Sequence, residues 1–156
     1  CEKGAKEAGH EVEFISLKDK EIKFCIGCLT CQKTGVCVIK DDVADIMEKV
    51  KNAEVIVYAT PIYYYEMCGQ MKTFLDRLNP LYLSDYAFRD IYMIATAAED
   101  GKTVFDKAYN GLQGWVDCFE KASLKGIVEG GGIEEAKDAL NHIDVMQEAY
   151  ELGKGL

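Results

Sequence analysis

The stretch VIVYATPIYYYEMCGQMKTFLDR, Val55 to Arg77, decides the fold. Its first five residues form a continuous apolar run, which is typical of a strand buried on both faces of a parallel sheet. Pro61 cannot donate a ladder hydrogen bond and disfavours helix at Thr60, so we expect the strand to end there. A helix is predicted to follow, because apolar residues recur with helical spacing at Met71, Phe74, Leu75 and Leu78.

Three consecutive tyrosines, Tyr63, Tyr64 and Tyr65, occupy the loop between this strand and this helix. Ligands of open α/β sheets bind at the carboxyl ends of the strands, which is where this loop begins. Tyrosine rings offer flat surfaces with polar tips, and these suit a planar aromatic ligand. Tyrosines that only pack beneath the next helix are the alternative, and the loop by itself favours neither.

Length and composition indicate one globular domain, residues 1–156, that buries a core. The net charge of -9 argues against nucleic acid and anionic membranes as partners. No apolar run is long enough to cross a bilayer, and no secretory signal is visible. Seven cysteines is an odd number, and four of them crowd into residues 25–37. Such clustering indicates a metal or cluster site in a reducing cytoplasm rather than a disulfide framework.

The rest of the chain alternates between strand and helix patterns, so the sequence predicts an α/β fold with a parallel sheet. A first helix ends at Gly9, and Asp41 and Asp42 are placed to cap a later one. We expect further strands at 11–17, 91–97 and 124–128, and further helices from 43, at 103–121 and at 133–152.

A doubly wound sheet of order 2-1-3-4-5 places its first strand in the middle. If 11–17 is the second strand, the first belongs between it and the strand at 55–59, where a gap would leave backbone groups unpaired. We therefore expect roughly 25 to 30 residues, carrying that first strand and the phosphate-binding loop, to precede Cys1.

The cysteines at positions 25, 28, 31 and 37 form a compact motif of soft ligands. Three thiolates at this spacing with a fourth nearby can wrap a [4Fe–4S] cluster, and Gly27 and Gly35 provide the backbone freedom. Zinc also binds four thiolates, although structural zinc sites usually have two pairs separated by a longer loop. Cysteines that bind nothing, or that form a redox-sensitive thiol loop, are the third possibility. The candidate metal ligands are Cys25, Cys28, Cys31 and Cys37.

Several segments together carry a family resemblance: AGHEVEFISL, CIGCLTC with CVIKDD, AEVIVYATPIYYYEM, GQMKTFLDR, IYMIATAAED and GLQGWVDCF. In this order and spacing they resemble the flavodoxin-like NAD(P)H-dependent oxidoreductases of the FMN reductase superfamily. Within that superfamily the cysteine motif resembles the iron–sulfur flavoprotein branch. The resemblance implies a flavodoxin-like three-layer sandwich and a bound FMN. It also implies flavin contacts by two loops, made of Thr60, Pro61, Ile62, Tyr63, Tyr64 and Tyr65, and of Thr96, Ala97, Ala98 and Glu99.

By this resemblance the chain is expected to be an FMN-dependent enzyme that passes reducing equivalents from NAD(P)H to a quinone, flavin or nitro compound. A flavin performs the redox chemistry itself, so no catalytic side chain is expected. One alternative is an electron-transfer iron–sulfur flavoprotein with a [4Fe–4S] cluster beside FMN, served by a donor protein such as ferredoxin. The other is a flavin- or zinc-binding sensor module. A cytoplasmic homodimer or homotetramer is expected.

Overall fold

The computed structural model describes residues 1–101 and 103–156, and it confirms the α/β class. The helices of the described residues are α1 (Glu2–Glu7), α2 (Thr30–Thr34), α3 (Val43–Asn52), α4 (Gly69–Arg77), α5 (Asp106–Val116) and α6 (Ile143–Lys154). The strands are β1 (Val55–Tyr63), β2 (Glu66–Met67), β3 (Asp90–Thr96) and β4 (Ser123–Gly130). Two 3₁₀ helices cover Asn79–Leu83 and Asp138–Asn141. Among these ranges, no helix has both the length and the apolar character that a bilayer crossing needs.

The sheet has the order β2-β1-β3-β4, with β1, β3 and β4 parallel. These three strands are the ones predicted at 55–59, 91–97 and 124–128, so their relative order is confirmed. The predicted strand at 11–17 is wrong, because this segment has no regular secondary structure and joins no ladder of the described residues. No neighbouring strand supplies backbone partners there, and the segment instead packs Ile15 and Leu17 against the core. The observed order therefore differs in detail from 2-1-3-4-5.

Strand β1 continues past the point where the sequence predicts its end. Pro61 stays in the ladder opposite Thr96 of β3, and β1 runs on to Tyr63. Proline is tolerated at positions where a strand lacks a partner on one side. Among the described residues, β1 meets its second neighbour, β2, only from Ile62 onward. The expected loop is thus a β-hairpin.

One face of the sheet carries the main core. Ile56 and Tyr58 of β1, with Ile91 and Met93 of β3, are buried in one cluster with the inward residues of α3, α4 and α5. The opposite face of β1 is only half-buried at its start, so burial on both faces is not observed there. Helix α1 packs on α6, which contacts the sheet at β4. Helices therefore flank the sheet.

Two predicted helices are shorter than expected. The helix predicted at 103–121 is ordered as α-helix over Asp106–Val116. The helix predicted at 133–152 begins as α-helix only at Ile143, because His142 has non-helical backbone angles and separates it from a turn and the 3₁₀ helix before it. In that turn the Asp138 carboxylate accepts a hydrogen bond from the Glu135 backbone N–H at 2.8 Å.

Candidate functional site

The three tyrosines form the tip of the β1–β2 hairpin. Tyr64 and Tyr65 have φ angles of 52° and 66°, which is the left-handed pair that a type I′ turn requires. Residues other than glycine and asparagine seldom adopt this left-handed backbone conformation. The turn therefore holds the two tyrosines at some cost in conformational free energy. Tyr64 is 98% exposed and Tyr63 is 59% exposed. The hairpin therefore presents open aromatic surfaces at the carboxyl end of β1.

The loop that follows β3 lies directly beside this hairpin. The hydroxyl of Tyr65 donates a hydrogen bond to Oε2 of Glu99 at 2.8 Å. The hydrogen bond to Glu99 and the negative charge of that carboxylate raise the pKa of Tyr65 above its ordinary value. On the other side, Nζ of Lys107 lies 5.3 Å from the Tyr65 ring centroid. The two predicted flavin loops are thus brought together and bridged by one side-chain contact.

The ten loop residues predicted to touch a flavin divide into exposed and supporting positions. The Thr60 side chain is buried, where its hydroxyl oxygen accepts from the Cys68 N–H at 3.1 Å and donates to the Pro61 carbonyl at 2.9 Å. Ala97 is also buried, with its N–H bonded to the Gly130 carbonyl at 2.9 Å. Ile62 and Thr96 are partly buried. The residues open to solvent are Pro61, Tyr63, Tyr64, Tyr65, Ala98 and Glu99.

These exposed residues fit a planar, partly polar ligand. Flat rings, a carboxylate and a lysine ammonium lie together at the carboxyl ends of two adjacent parallel strands. This is the edge at which open α/β sheets bind ligands. The chemistry of these groups therefore agrees with the predicted flavin loops.

A second site lies in the cysteine segment. Cys25, Cys28, Cys31 and Cys37 all line one pocket with a volume of about 290 Å³. The backbone curls around it with left-handed φ angles of 65° at Gly27 and 72° at Gly35, as the predicted wrap requires, and of 56° at Leu29. Hydrogen bonds from Thr30 lower the pKa of the Cys28 thiol. The structure thus places the four predicted ligands in the lining of one pocket.

The wall opposite the cysteines comes from the carboxyl end of α4 and the start of the following 3₁₀ helix, Asn79–Leu83. Nδ2 of Asn79 donates to Sγ of Cys31 at 3.1 Å. One terminal nitrogen of the Arg77 guanidinium donates to Sγ of Cys37 at 3.6 Å. Nitrogen donors therefore face two of the four sulfurs.

Arg77 is buried in an ion pair with Asp41, and both side chains are almost fully inaccessible. The two terminal nitrogens of Arg77 donate to the two carboxylate oxygens of Asp41 at 2.5 and 3.0 Å. Burial opposes the charge of Asp41, but the hydrogen bonds from Arg77 and from the Lys23 and Val43 backbone N–H groups hold its pKa below the ordinary value. Burial likewise opposes the charge of Arg77, and Asp41 more than offsets it, so the pKa of Arg77 is raised.

Sequence patterns do not reveal this pair. They predict Arg77 as a surface charge at the end of a helix, like Lys72, which is exposed. They predict Asp41 as a helix cap, and its side chain does accept from the Val43 N–H at 3.2 Å while it binds Arg77. One local signal is available, because Arg77 lies one helical turn after the buried Phe74 and therefore on the same side of α4.

The four thiols line a pocket rather than converge on one point. Within residues 1–101 and 103–156, no three His, Cys, Asp or Glu side chains are arranged to hold a single metal ion. Zinc needs all four ligands on one ion. A [4Fe–4S] cluster is larger, and its cysteine ligands bind separate iron atoms. The donor set, four thiols around one pocket, therefore fits a cluster whose iron atoms are bound by separate cysteines.

Helix α4 separates the two sites. The tyrosine hairpin leads into its amino end, whereas the cysteine pocket includes Asp76 and Arg77 at its carboxyl end. Nine helical residues span about 13 Å at 1.5 Å per residue. A cluster in this pocket would not lie directly beside the hairpin of the same chain.

Comparison with known proteins shows which family and which individual proteins this sequence is similar to. The family model described as NADPH-dependent FMN reductase matches residues 1–108. An iron-sulfur flavoprotein of Methanocaldococcus jannaschii is 47% identical over 75 residues, which are 48% of this chain and 39% of that protein. A Bacillus subtilis protein named as a putative NAD(P)H-dependent FMN-containing oxidoreductase is 28% identical over 134 residues, which are 80% of this chain and 72% of that protein.

Among solved structures, an NAD(P)H:quinone oxidoreductase from Methanothermobacter marburgensis superimposes with a TM-score of 0.72. The match covers 97% of this chain and 82% of that chain at 17% sequence identity. At this identity the likeness shows a shared fold. The flavodoxin-like fold predicted from the sequence is thereby confirmed.

We predict that Asp41→Ala destabilises the protein by about 3–5 kcal/mol, because it leaves the buried Arg77 charge unpaired. Chemical denaturation at pH 7 measures this loss. The lowered pKa of Asp41 means that the pair stabilises the protein above the ordinary aspartate pKa of about 3.9 and that this contribution disappears as the pH falls through the lowered value.

The matched control is Asp85→Ala, which removes an exposed aspartate from its ion pair with Lys121. We expect little change in stability, since water screens this pair. Equal effects of the two substitutions would contradict a structural role for the buried pair.

Proposed function

The chain belongs to the NADPH-dependent FMN reductase family, and from this we propose that it is an oxidoreductase that binds FMN and accepts reducing equivalents from NAD(P)H. The acceptor is proposed to be a small molecule such as a quinone, a flavin or a nitro compound. The observation that carries the proposal is the pairing of two loops at the carboxyl ends of β1 and β3, bridged by Tyr65 and Glu99.

The residues proposed to contact the flavin are those of the two paired loops. Tyr63 and Tyr65 provide flat faces for stacking or edge contacts with an aromatic ring. Thr60 supports the hairpin from beneath through its bonds to Pro61 and Cys68. FMN supplies the redox chemistry when bound, while the protein orients it and sets its electrostatic surroundings. Glu99 places a negative charge at this edge, and its hydrogen bond from Tyr65 holds the carboxylate in position.

The whole protein is proposed to work as a homodimer or homotetramer in the cytoplasm, with residues 1–156 in one flavodoxin-like domain. A single cluster of buried residues joins α3, α4 and α5 to the sheet, which supports one domain. Large side chains remain exposed at the hairpin and around the cysteine loop, including Tyr64, Phe24 and Ile26, which supports assembly with further protein.

We predict that Tyr63→Ala weakens FMN binding by roughly two- to tenfold, which corresponds to an aromatic contact of about 0.5–1.5 kcal/mol. Fluorescence titration of the full protein with FMN measures the dissociation constant, and anaerobic mixing with NADPH measures reduction of the bound flavin. The control is Tyr82→Ala, because Tyr82 is similarly exposed but lies beyond the carboxyl end of α4.

Tyr82→Ala is expected to bind FMN as the wild type does. Unchanged FMN affinity in Tyr63→Ala would show that the hairpin does not hold the flavin. A wild-type protein that binds FMN but is reduced by neither NADPH nor NADH would contradict the proposed enzyme.

A second function is favoured by the cysteine pocket: the chain is proposed to hold a [4Fe–4S] cluster and to act in electron transfer, with a donor protein such as ferredoxin. All four predicted ligands line the same pocket. The similar protein of Methanocaldococcus jannaschii is named an iron-sulfur flavoprotein, and this chain spans 39% of its length. When bound, a cluster supplies one-electron transfer; the residues that would hold it are Cys25, Cys28, Cys31 and Cys37.

We predict that Cys28→Ala removes or severely depletes bound iron and acid-labile sulfide, because one of four thiolate ligands is lost. Protein purified without oxygen is analysed for both elements per polypeptide. Cys118→Ala is the control, since Cys118 is also an exposed free thiol but does not line the pocket. Iron content that is equally unaffected by both substitutions would exclude Cys28 as a ligand.

A further inference from the structure

Two side chains that are not cysteines face the sulfur atoms of the pocket. The Asn79 amide nitrogen lies 3.1 Å from Sγ of Cys31, and an Arg77 guanidinium nitrogen lies 3.6 Å from Sγ of Cys37. Both donors come from the junction between α4 and the following 3₁₀ helix, whereas both acceptors come from the cysteine loop. The contacts therefore join segments that are 40 or more residues apart in sequence.

The Arg77 donor is fixed in position. Its guanidinium is 1% exposed and binds both carboxylate oxygens of Asp41. It also donates to the backbone carbonyl of Lys23 at 2.8 Å, which precedes the cysteine motif by two residues. Because the planar group is clamped on two sides, the arm that points to Cys37 keeps its direction. Nε of Arg77 is buried and has no partner among the described residues.

The Asn79 side chain differs from that of Arg77, because its amide is not shared among several hydrogen-bond acceptors. Among the hydrogen bonds of the described residues, the bond to Cys31 is the one that the Asn79 side chain makes. Pro80 follows Asn79 and lies in the first turn of the 3₁₀ helix, which restricts the local backbone. The amide is thus held against the sulfur without another polar group to satisfy.

Hydrogen bonds to ligand sulfurs are among the factors that set the reduction potential of an iron–sulfur cluster. A donor stabilises the form that carries more negative charge, which is the reduced form. We infer that Asn79 and Arg77 are positioning residues that raise the reduction potential of a cluster held by the four cysteines, and that Asp41 holds Arg77 in place for this role. The inference rests on the proposed cluster.

The test is the midpoint potential of the cluster in anaerobically purified full-length protein, measured by redox titration with spectroscopic detection of the reduced cluster. Asn79→Ala removes the donor to Cys31 without changing any ligand or any charge. The expected result is a full complement of iron with the potential moved to a more negative value. A tenfold fall in the ratio of reduced to oxidised cluster at a fixed potential corresponds to about 59 mV for a one-electron couple, and a shift of this size is expected.

A second variant, Arg77→Lys, keeps a cation beside Asp41 but loses the arm that reaches Cys37. It is expected to retain the fold and to shift the potential in the same direction. The control is Lys121→Gln, which removes an exposed cation whose partner, Asp85, does not line the pocket. Water screens this pair, so the potential should be unchanged.

The possible outcomes distinguish failure of this inference from failure of the proposed cluster on which it rests. A wild type without iron and sulfide overturns both the cluster and the inference. A wild type with a cluster, together with an Asn79→Ala variant whose potential equals that of Lys121→Gln, overturns the inference alone. An Asn79→Ala variant that loses iron while it keeps its circular dichroism spectrum also overturns it, because the residue would then serve only to hold the pocket together.

Discussion

The geometry of the cysteine pocket depends on the buried ion pair between Arg77 and Asp41. Two opposite charges are removed from water here, and each is acceptable only because the other is present. The pair joins the carboxyl end of α4 to the segment just after the last cysteine of the loop. A further hydrogen bond from Arg77 to the Lys23 carbonyl fixes the segment just before the first cysteine. A loop with little regular secondary structure is thus held at both ends by one guanidinium.

Helix α4 connects this ion pair to the tyrosine hairpin, where the second candidate site lies. Its amino end follows the tyrosine hairpin, and its inward residues, including Met71 and Phe74, are packed in the main core. The core therefore fixes the helix, and the helix fixes both sites relative to the sheet. The two sites differ in physical character, since exposed aromatic rings meet a carboxylate at one end while thiols meet nitrogen donors at the other. This division suits two redox groups held about one helix length apart.

Local sequence patterns are sufficient for the elements that carry a continuous apolar run or apolar residues at helical spacing. They predict strands β1 and β3 and helices α3 and α4 near their observed positions. At 11–17 apolar and polar residues alternate as in a half-exposed strand, but the segment forms no ladder with the described residues, because strand formation also needs a neighbour that alternation cannot reveal. Pro61 predicts a strand end, whereas its position in the sheet, which the sequence does not specify, allows β1 to continue.

For the candidate sites, too, the sequence predicts some features and misses others. Cysteine spacing is local, so the spacing alone groups the four thiols, and all four line one pocket of the folded chain. The partners of these thiols cannot be found in this way, since Arg77 and Asn79 reach them from 40 and 48 positions away. The contact between Tyr65 and Glu99 is likewise long-range, although adjacent parallel strands make proximity of the two loops predictable.

The two proposed redox groups are tested most directly by an anaerobic absorption spectrum of the purified protein, recorded before and after stepwise reduction with dithionite. We expect two flavin bands together with a broad shoulder that bleaches in a separate step. Flavin bands alone would contradict the cluster in the cysteine pocket. A colourless protein that also fails to take up added FMN would contradict the redox function as a whole.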